Sequence, residues 1–534
     1  MKITKPTTPA VSTPAPTGAA KPAAPTNTTE APSGGWSKTG AAKGTPTVQT
    51  PSAPASKPVA DAVATLKKAM DGIGTDEKKL LATLEGQAPA LIASIAKEYE
   101  AQTGTSLRKA LNSELSGADL RRGLAALDGA LVKPGSAPGT GGVADKINVL
   151  RNQGTVSESE LVNTYKPTTN NKIELMIQGD TAFPKLMESI DKAKDSINMS
   201  YYIFNDDKLG NEMADKLIAA KQRGVEVRVM LDGIGSQLMN PMSGSNKILK
   251  RLEAAGIETR SNHLVDVTRD SQIMNHPDHR KIVVVDGKTG FTGGMNVGEH
   301  YLNQYHDVMV KAEGDVVKQM QSEWMSAWMH LGGKIPGDDA TVKARFFPEY
   351  KPGEAPGNQK ITTVQHIPGE NRAILQTYLD KINTATKSIH IENPYCTNPD
   401  IQNALIAAAG RGVDVRVVLP GESDHGFSHM AARQKYPEMI KAGVHIYEYP
   451  GFNHDKVMVT DSKFVTTGSS NLDDVALYHV YEMNLNVEDE KFAKDTIDRL
   501  FTPDIAKSKE MRAEEISKLQ IMTGKFWNLF SHFI

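Results

Sequence analysis

The chain has 534 residues, 39% of them hydrophobic, with a formal net charge of −2 and one cysteine, Cys396. Such a length calls for two or three domains, and the charge lacks the basic bias of a duplex-binding protein, so no nucleic-acid partner is expected. A single thiol excludes an intramolecular disulfide and a cysteine-built zinc site, and Cys396, inside the apolar run IENPYC, reads as a buried, inert thiol.

The N-terminus lacks the apolar segment of a secretory signal, and no run of about 18 apolar residues occurs. A soluble chain without a membrane span is therefore expected, cytoplasmic or exported by another route. Residues 1–60 are Pro, Thr, Ala, Ser and Gly with hardly a large apolar side chain. They cannot bury enough surface to offset their ordering entropy, which predicts a disordered tail. Residues 61–131 carry Leu66, Met70, Leu80, Leu84, Leu91, Ile95, Leu107, Leu111, Leu115 and Leu124 at helical spacings, predicting a small all-α module. A Pro/Gly-rich linker follows at 132–145.

The remainder alternates helical and strand patterns, so an α/β architecture is expected. It also repeats itself. RGVEVRVMLDG (223–233) returns as RGVDVRVVLPG (411–421), which divides it into two homologous halves, 146–350 and 351–534. The polar residues repeat too. HRKIVVVDG and HDKVMVTDS put Lys281 and Lys456 two places after His279 and His454, and Asp286 and Asp461 seven places after. Asn296 and Asn471 then stand at +17, Asp307 and Glu482 at +28. At the C-terminus Phe526, Leu529, Phe530 and Phe533 share a helical face. Docking on its own domain is the expectation for that helix, with a bilayer surface as the alternative.

Positions i and i+2 of a strand face the same way, so each histidine projects with its lysine. If the halves pack about a pseudo-two-fold axis, one space receives two imidazoles, two ammonium groups and two amides. A phosphodiester needs such a site. A neutral imidazole attacks while a carboxylate holds its other ring nitrogen, Asp307 for His279 and Glu482 for His454. The lysines and asparagines supply donors to the phosphoryl oxygens, and the second histidine moves protons. No cofactor is required. His276 and His425 are candidates for the pocket rim, whereas His300, His306, His366 and His479 read as structural.

The two HxKxxxxD motifs, 279–286 and 454–461, resemble the phospholipase D superfamily. Their surroundings (SYYIFNDDKLG, GFTGGMN, NHDKVMVTDSKFVTTGSSNLD) are similar to bacterial cardiolipin synthases over roughly 170–500. The resemblance implies two α/β/α sandwich halves and double-displacement chemistry on phospholipids, with His279 as nucleophile and His454 as acid/base. Hydrolysis and transfer to an alcohol both remain open, and a nuclease on the same scaffold is the competing enzyme. Residues 61–130, with MDGIGTDEKKLLATL, resemble a single annexin repeat. That likeness implies a calcium site from the carbonyls of Met70, Gly72 and Gly74 and the carboxylate of Glu114, and a peripheral membrane partner. A lone repeat can equally keep only the helical fold, and a non-catalytic calcium-dependent membrane binder is the third reading. The oligomeric state is left open.

Overall fold

A computed structural model describes residues 57–70, 76–84, 87, 89–114, 127, 165–238, 244–261, 276–351, 353–368, 371–422 and 426–528. The expected tail up to residue 56, the linker, Gly72, Gly74, His425 and residues 529–534 lie outside these. The helical region opens with Lys57–Ala69, four residues earlier than expected. Pro58 sits in its first turn, where a missing N–H costs nothing. Glu77–Leu84, Pro89–Thr103 and Leu107–Glu114 follow. Leu66, Leu80, Leu84, Ile95 and Leu111 form a core of their own there, as their spacing predicts.

The α/β region carries strands β1 (Thr168–Ile177), β2 (Ser196–Tyr201), β3 (Glu226–Leu231), β4 (Glu258–Ser261), β5 (Ile282–Val285), β6 (Thr289–Gly293) and β7 (Val308–Gly314). A second set follows: β8 (Gln359–Ile367), β9 (Asn371–Arg372), β10 (Ser388–Glu392), β11 (Asp414–Pro420), β12 (His445–Tyr449), β13 (Val457–Thr460), β14 (Phe464–Gly468), β15 (Glu482–Glu488) and β16 (Lys509–Glu510). All join one sheet. From its middle outward the order is β1-β7-β6-β5-β2-β3-β4 on one side and β8-β15-β14-β13-β10-β11-β12 on the other, with β16 beyond β12 and β9 on β8. The order is a palindrome about the antiparallel β1–β8 pair. The duplicated sequence therefore builds the same seven-strand arrangement twice.

Helices cover both faces, which is why strands such as IVVV and VMVT are buried along their whole length. One face carries a core common to both sets. Trp324 and Trp328 of helix Val316–His330 pack there with Val310 of β7, Val459 of β13 and Leu485 of β15. The opposite face has two separate cores, one per set. In the RGV repeats Gly224 (φ 91°) and Gly412 (φ 87°) take the left-handed turn that ends each helix before β3 and β11. Cys396 is buried, and burial pushes its thiol up to about 12, as an inert role requires.

The last described helix, Lys518–Asn528, packs on helix Gly426–Arg433. Gly524 lies so close that a Cβ there would stand 2.4 Å from the Met430 carbonyl oxygen. The part of this helix up to Gly524 thus docks on its own domain, while Leu529, Phe530 and Phe533 of the expected apolar face lie outside the described residues. Among the described residues no helix is long and apolar enough to cross a membrane.

Candidate active site

His279 stands just before β5 and His454 just before β13, and each is held by the other half. The His279 backbone N–H donates to the Tyr481 carbonyl at 3.0 Å, and the His454 N–H to the His306 carbonyl at 2.7 Å. These short parallel bridges, Asp278 with Tyr481 and His306 with Asn453, lay each histidine beside the start of the other half's carboxylate strand. His279 Nδ1 then donates to Glu482 Oε1 at 2.8 Å, and His454 Nδ1 to Asp307 Oδ2 at 2.7 Å. The sequence expectation had paired His279 with Asp307 and His454 with Glu482. It is corrected here, because the seam between the halves brings each imidazole to the carboxylate of the opposite copy.

The carboxylates are held differently. Glu482 also accepts from the Ser469 hydroxyl, whereas Asp307 Oδ1 accepts from the Val308 N–H at 2.8 Å. Ser469 occupies the place that Gly294 has in the first copy, where a Cβ would come within 2.3 Å of Asp307 Oδ1. Sequence reasoning missed Ser469. The signal was the Gly/Ser difference two residues before each asparagine.

Lys281 and Lys456 turn their Nζ atoms onto the carbonyls of their own histidines, at 2.8 Å and 2.6 Å. Both are buried, at 2% and 0% exposed, in a space that mixes the two halves. Burial holds the His279 ring well below its usual pKa, and Lys281 and Lys456 lower it further. The imidazole is consequently neutral at physiological pH, with Nε2 carrying the lone pair. Burial likewise brings Lys281 down to about 7 and raises Glu482 to about 8 and Asp307 to about 7. An arriving phosphate anion would return Lys281 toward full charge.

Aromatic rings wall the site. Tyr202 meets His279 edge-on at 4.8 Å, and Tyr301 and Phe452 stand 5.6 Å and 5.5 Å from His454. Asn296 Oδ1 accepts from the Ile203 N–H and one N–H of its Nδ2 donates to the Tyr301 hydroxyl at 2.9 Å, which orients Tyr301 beside His454. Asn471 is hydrogen-bonded to Asp473, and its Oδ1 is buried without a partner among the described residues.

Asp286 and Asp461 are not brought to the histidines, and their inclusion among the catalytic residues is corrected. Each closes the far end of its strand at φ 52°, a left-handed conformation that aspartate tolerates. The Asp286 carboxylate accepts the N–H groups of Lys194, Asp195 and Ser196, and Asp461 those of Thr386, Lys387 and Ser388. Burial would raise Asp461, but these N–H groups outweigh it and hold the carboxyl below its usual value. Asp286→Ala is therefore expected to lower unfolding stability by about 1–3 kcal/mol, read from urea denaturation, with the folded enzyme keeping its activity.

Of the remaining histidines, His276 lines a recess with Asp232, Arg280 and Tyr481, its Nδ1 2.8 Å from the His479 carbonyl. His366 is fully buried. In the helical region Met70 and Glu114 both face Tyr99: the Tyr99 hydroxyl lies 3.9 Å from Met70 Sδ, and the charge on Glu114 adds to burial in raising that phenol.

A two-fold-repeated sheet with an imidazole–lysine pair from each half, each imidazole braced by a carboxylate across the seam, defines the phospholipase D class of phosphoryl-transfer proteins. The sequence matches the family described as "Cardiolipin synthase, PLD-like domain" over residues 186–328 and 378–502, and the chain belongs to it. It is 30% identical over 351 residues to the probable cardiolipin synthase YwiE of Bacillus subtilis (strain 168), covering 64% of this chain and 68% of that one. It is 32% identical over 361 residues to cardiolipin synthase 2 of Bacillus anthracis, with 65% and 67% covered. Among solved structures, phosphatidylserine synthase of Haemophilus influenzae Rd KW20 shares the fold, at 14% identity and a TM-score of 0.53, over 73% of this chain and 97% of that one. Residues 60–127 match the annexin family.

Proposed function

We propose that this chain is a phosphatidyltransferase that works on phospholipids through a covalent phosphohistidine. The observation that carries the reading is the reciprocal pair His279–Glu482 and His454–Asp307. Glu482 fixes the His279 tautomer so that Nε2 attacks phosphorus. The P–O bond to the head-group alcohol breaks, and His454, as imidazolium, gives that oxygen its proton. The neutral His454 then takes a proton from the acceptor hydroxyl. The acceptor oxygen attacks phosphorus, the P–N bond breaks, and both imidazoles return to their starting states. Lys281 and Lys456 face the non-bridging oxygens as charge builds on them.

An alcohol such as phosphatidylglycerol as acceptor would give cardiolipin and glycerol, and water would give phosphatidic acid. Purified protein should act on phosphatidylglycerol vesicles and leave single-stranded DNA intact, both with EDTA present, the products being identified by mass. Cleavage of the DNA alone would replace this reading with a nuclease.

The helical region fits a peripheral lipid surface as the protein's partner, with calcium held at Met70, Gly72, Gly74 and Glu114. A hard cation suits backbone carbonyls and one carboxylate. Calcium should increase sedimentation with anionic liposomes, and Glu114→Ala should abolish the increase. Equal sedimentation with and without calcium would leave the region a purely structural part.

A further inference from the structure

Behind the two catalytic candidates the halves differ in charge. Arg280 follows His279, donates to Asp278 and Glu323, and lies 5.1 Å over the Tyr481 ring. The residue after His454 is Asp455, fully buried. Around it stand Glu392, Asp504 and His306. Glu392 ends β10 where β2 has Ser200, since Asp286 and Asp461 anchor Ser196 and Ser388 at equivalent places. One half thus sets a guanidinium among its carboxylates, while the other sets three carboxylates around an imidazole. Glu392 and Asp455 share a side-chain hydrogen bond, a contact that two carboxylates make only with a proton or a cation between them. The ring nitrogen His306 Nε2 lies 3.4 Å from Asp455 and 2.6 Å from Asp504.

We propose that Glu392, Asp455, Asp504 and His306 bind a divalent first-row metal ion of the zinc or manganese kind, supplying behind His454 the positive charge that Arg280 supplies behind His279. One ligand atom from each lies within 4.8 Å of all the others. That spread fits a shell of ligands about 2.0–2.4 Å from one ion, whose opposite members stand at most twice that distance apart. Carboxylate oxygens with one imidazole suit these metals better than a softer ion.

The surroundings agree. The Gln178 amide nitrogen is placed 2.7 Å from His306 Nδ1, which leaves Gln178 Oε1 buried without a partner among the described residues. Turning the amide over lets Nδ1–H donate to Oε1 and leaves the Nε2 lone pair facing the carboxylates, the usual bracing of a metal-bound histidine. Asn453 Nδ2 donates to Glu392 Oε2 at 3.2 Å and orients it. The ion takes no part in the transfer reaction. It fixes His306, whose carbonyl accepts the His454 N–H and whose neighbour Asp307 braces the ring.

Full-length protein, stripped with chelator, reloaded with Zn²⁺ or Mn²⁺ and desalted, should retain about one equivalent by elemental mass spectrometry. Glu392→Gln and Asp504→Asn each remove one anionic ligand at constant shape and should weaken retention at least ~10-fold. Asp278→Asn, in the opposite half, should not. Retention no greater than a protein-free blank with both ions, or unchanged in both ligand variants, overturns the site. Should the variants fail to fold, pulsed EPR of Mn²⁺ on the wild type decides: coupling to one imidazole nitrogen supports the site, and its absence overturns it. These readouts measure metal and not turnover, so they stand or fall apart from the transferase reading.

Discussion

With a phosphatidyl ester of p-nitrophenol, His454→Ala should release about one equivalent of nitrophenolate in a burst and then nearly stop. Such a leaving group departs without a proton, so the first displacement does not need the His454 acid. The second does need a base, because the acceptor hydroxyl must lose its proton as it attacks. The phosphatidyl group should therefore stay on the protein, and peptide mass spectrometry should find it on His279. His279→Ala should give no burst and lose about 10⁴-fold or more in turnover, since the atom that bonds phosphorus is gone. A burst in His279→Ala and none in His454→Ala would exchange the two roles. Near-normal turnover in both would remove the mechanism.

The halves could be read from the sequence because duplication preserves what each copy needs for itself. RGV marks a helix end and a following strand in both, and HxK sets two side chains on one face. The palindromic sheet could not be read, since it depends on β1 meeting β8 and no local pattern encodes that pairing. The same seam explains the mispaired carboxylates. Counting along one copy places Asp307 near His279, but the bridges at Tyr481 and Asn453 cross between copies. The repeated aspartates mislead for a related reason. Asp286 and Asp461 recur because each strand end needs an acceptor for three N–H groups, so recurrence alone does not separate chemistry from architecture. The cluster at Asp455 escaped notice because its members come from four separate segments, with one of them, His306, reading as an ordinary structural histidine.

The crossed pairing makes its own prediction. Glu482→Gln keeps the side chain's shape and its Ser469 neighbour but offers an amide to His279 Nδ1. If the amide donates there, the ring proton moves to Nε2 and the attacking lone pair is lost. Loss of the equivalent carboxylate in serine proteases costs about 10⁴-fold through the same tautomer error, and a loss of about 10³–10⁴-fold is expected here. Its phenotype should be that of a nucleophile mutant, with no nitrophenolate burst, although Glu482 lies in the opposite half from His279. Asp307→Asn should instead resemble His454→Ala, giving a burst and then slow turnover, because the ring it disturbs serves the proton. Pairing within each half demands the reverse, with Asp307→Asn abolishing the burst and Glu482→Gln sparing it. Burst amplitudes from these two variants therefore separate the arrangements even if both slow steady-state turnover equally.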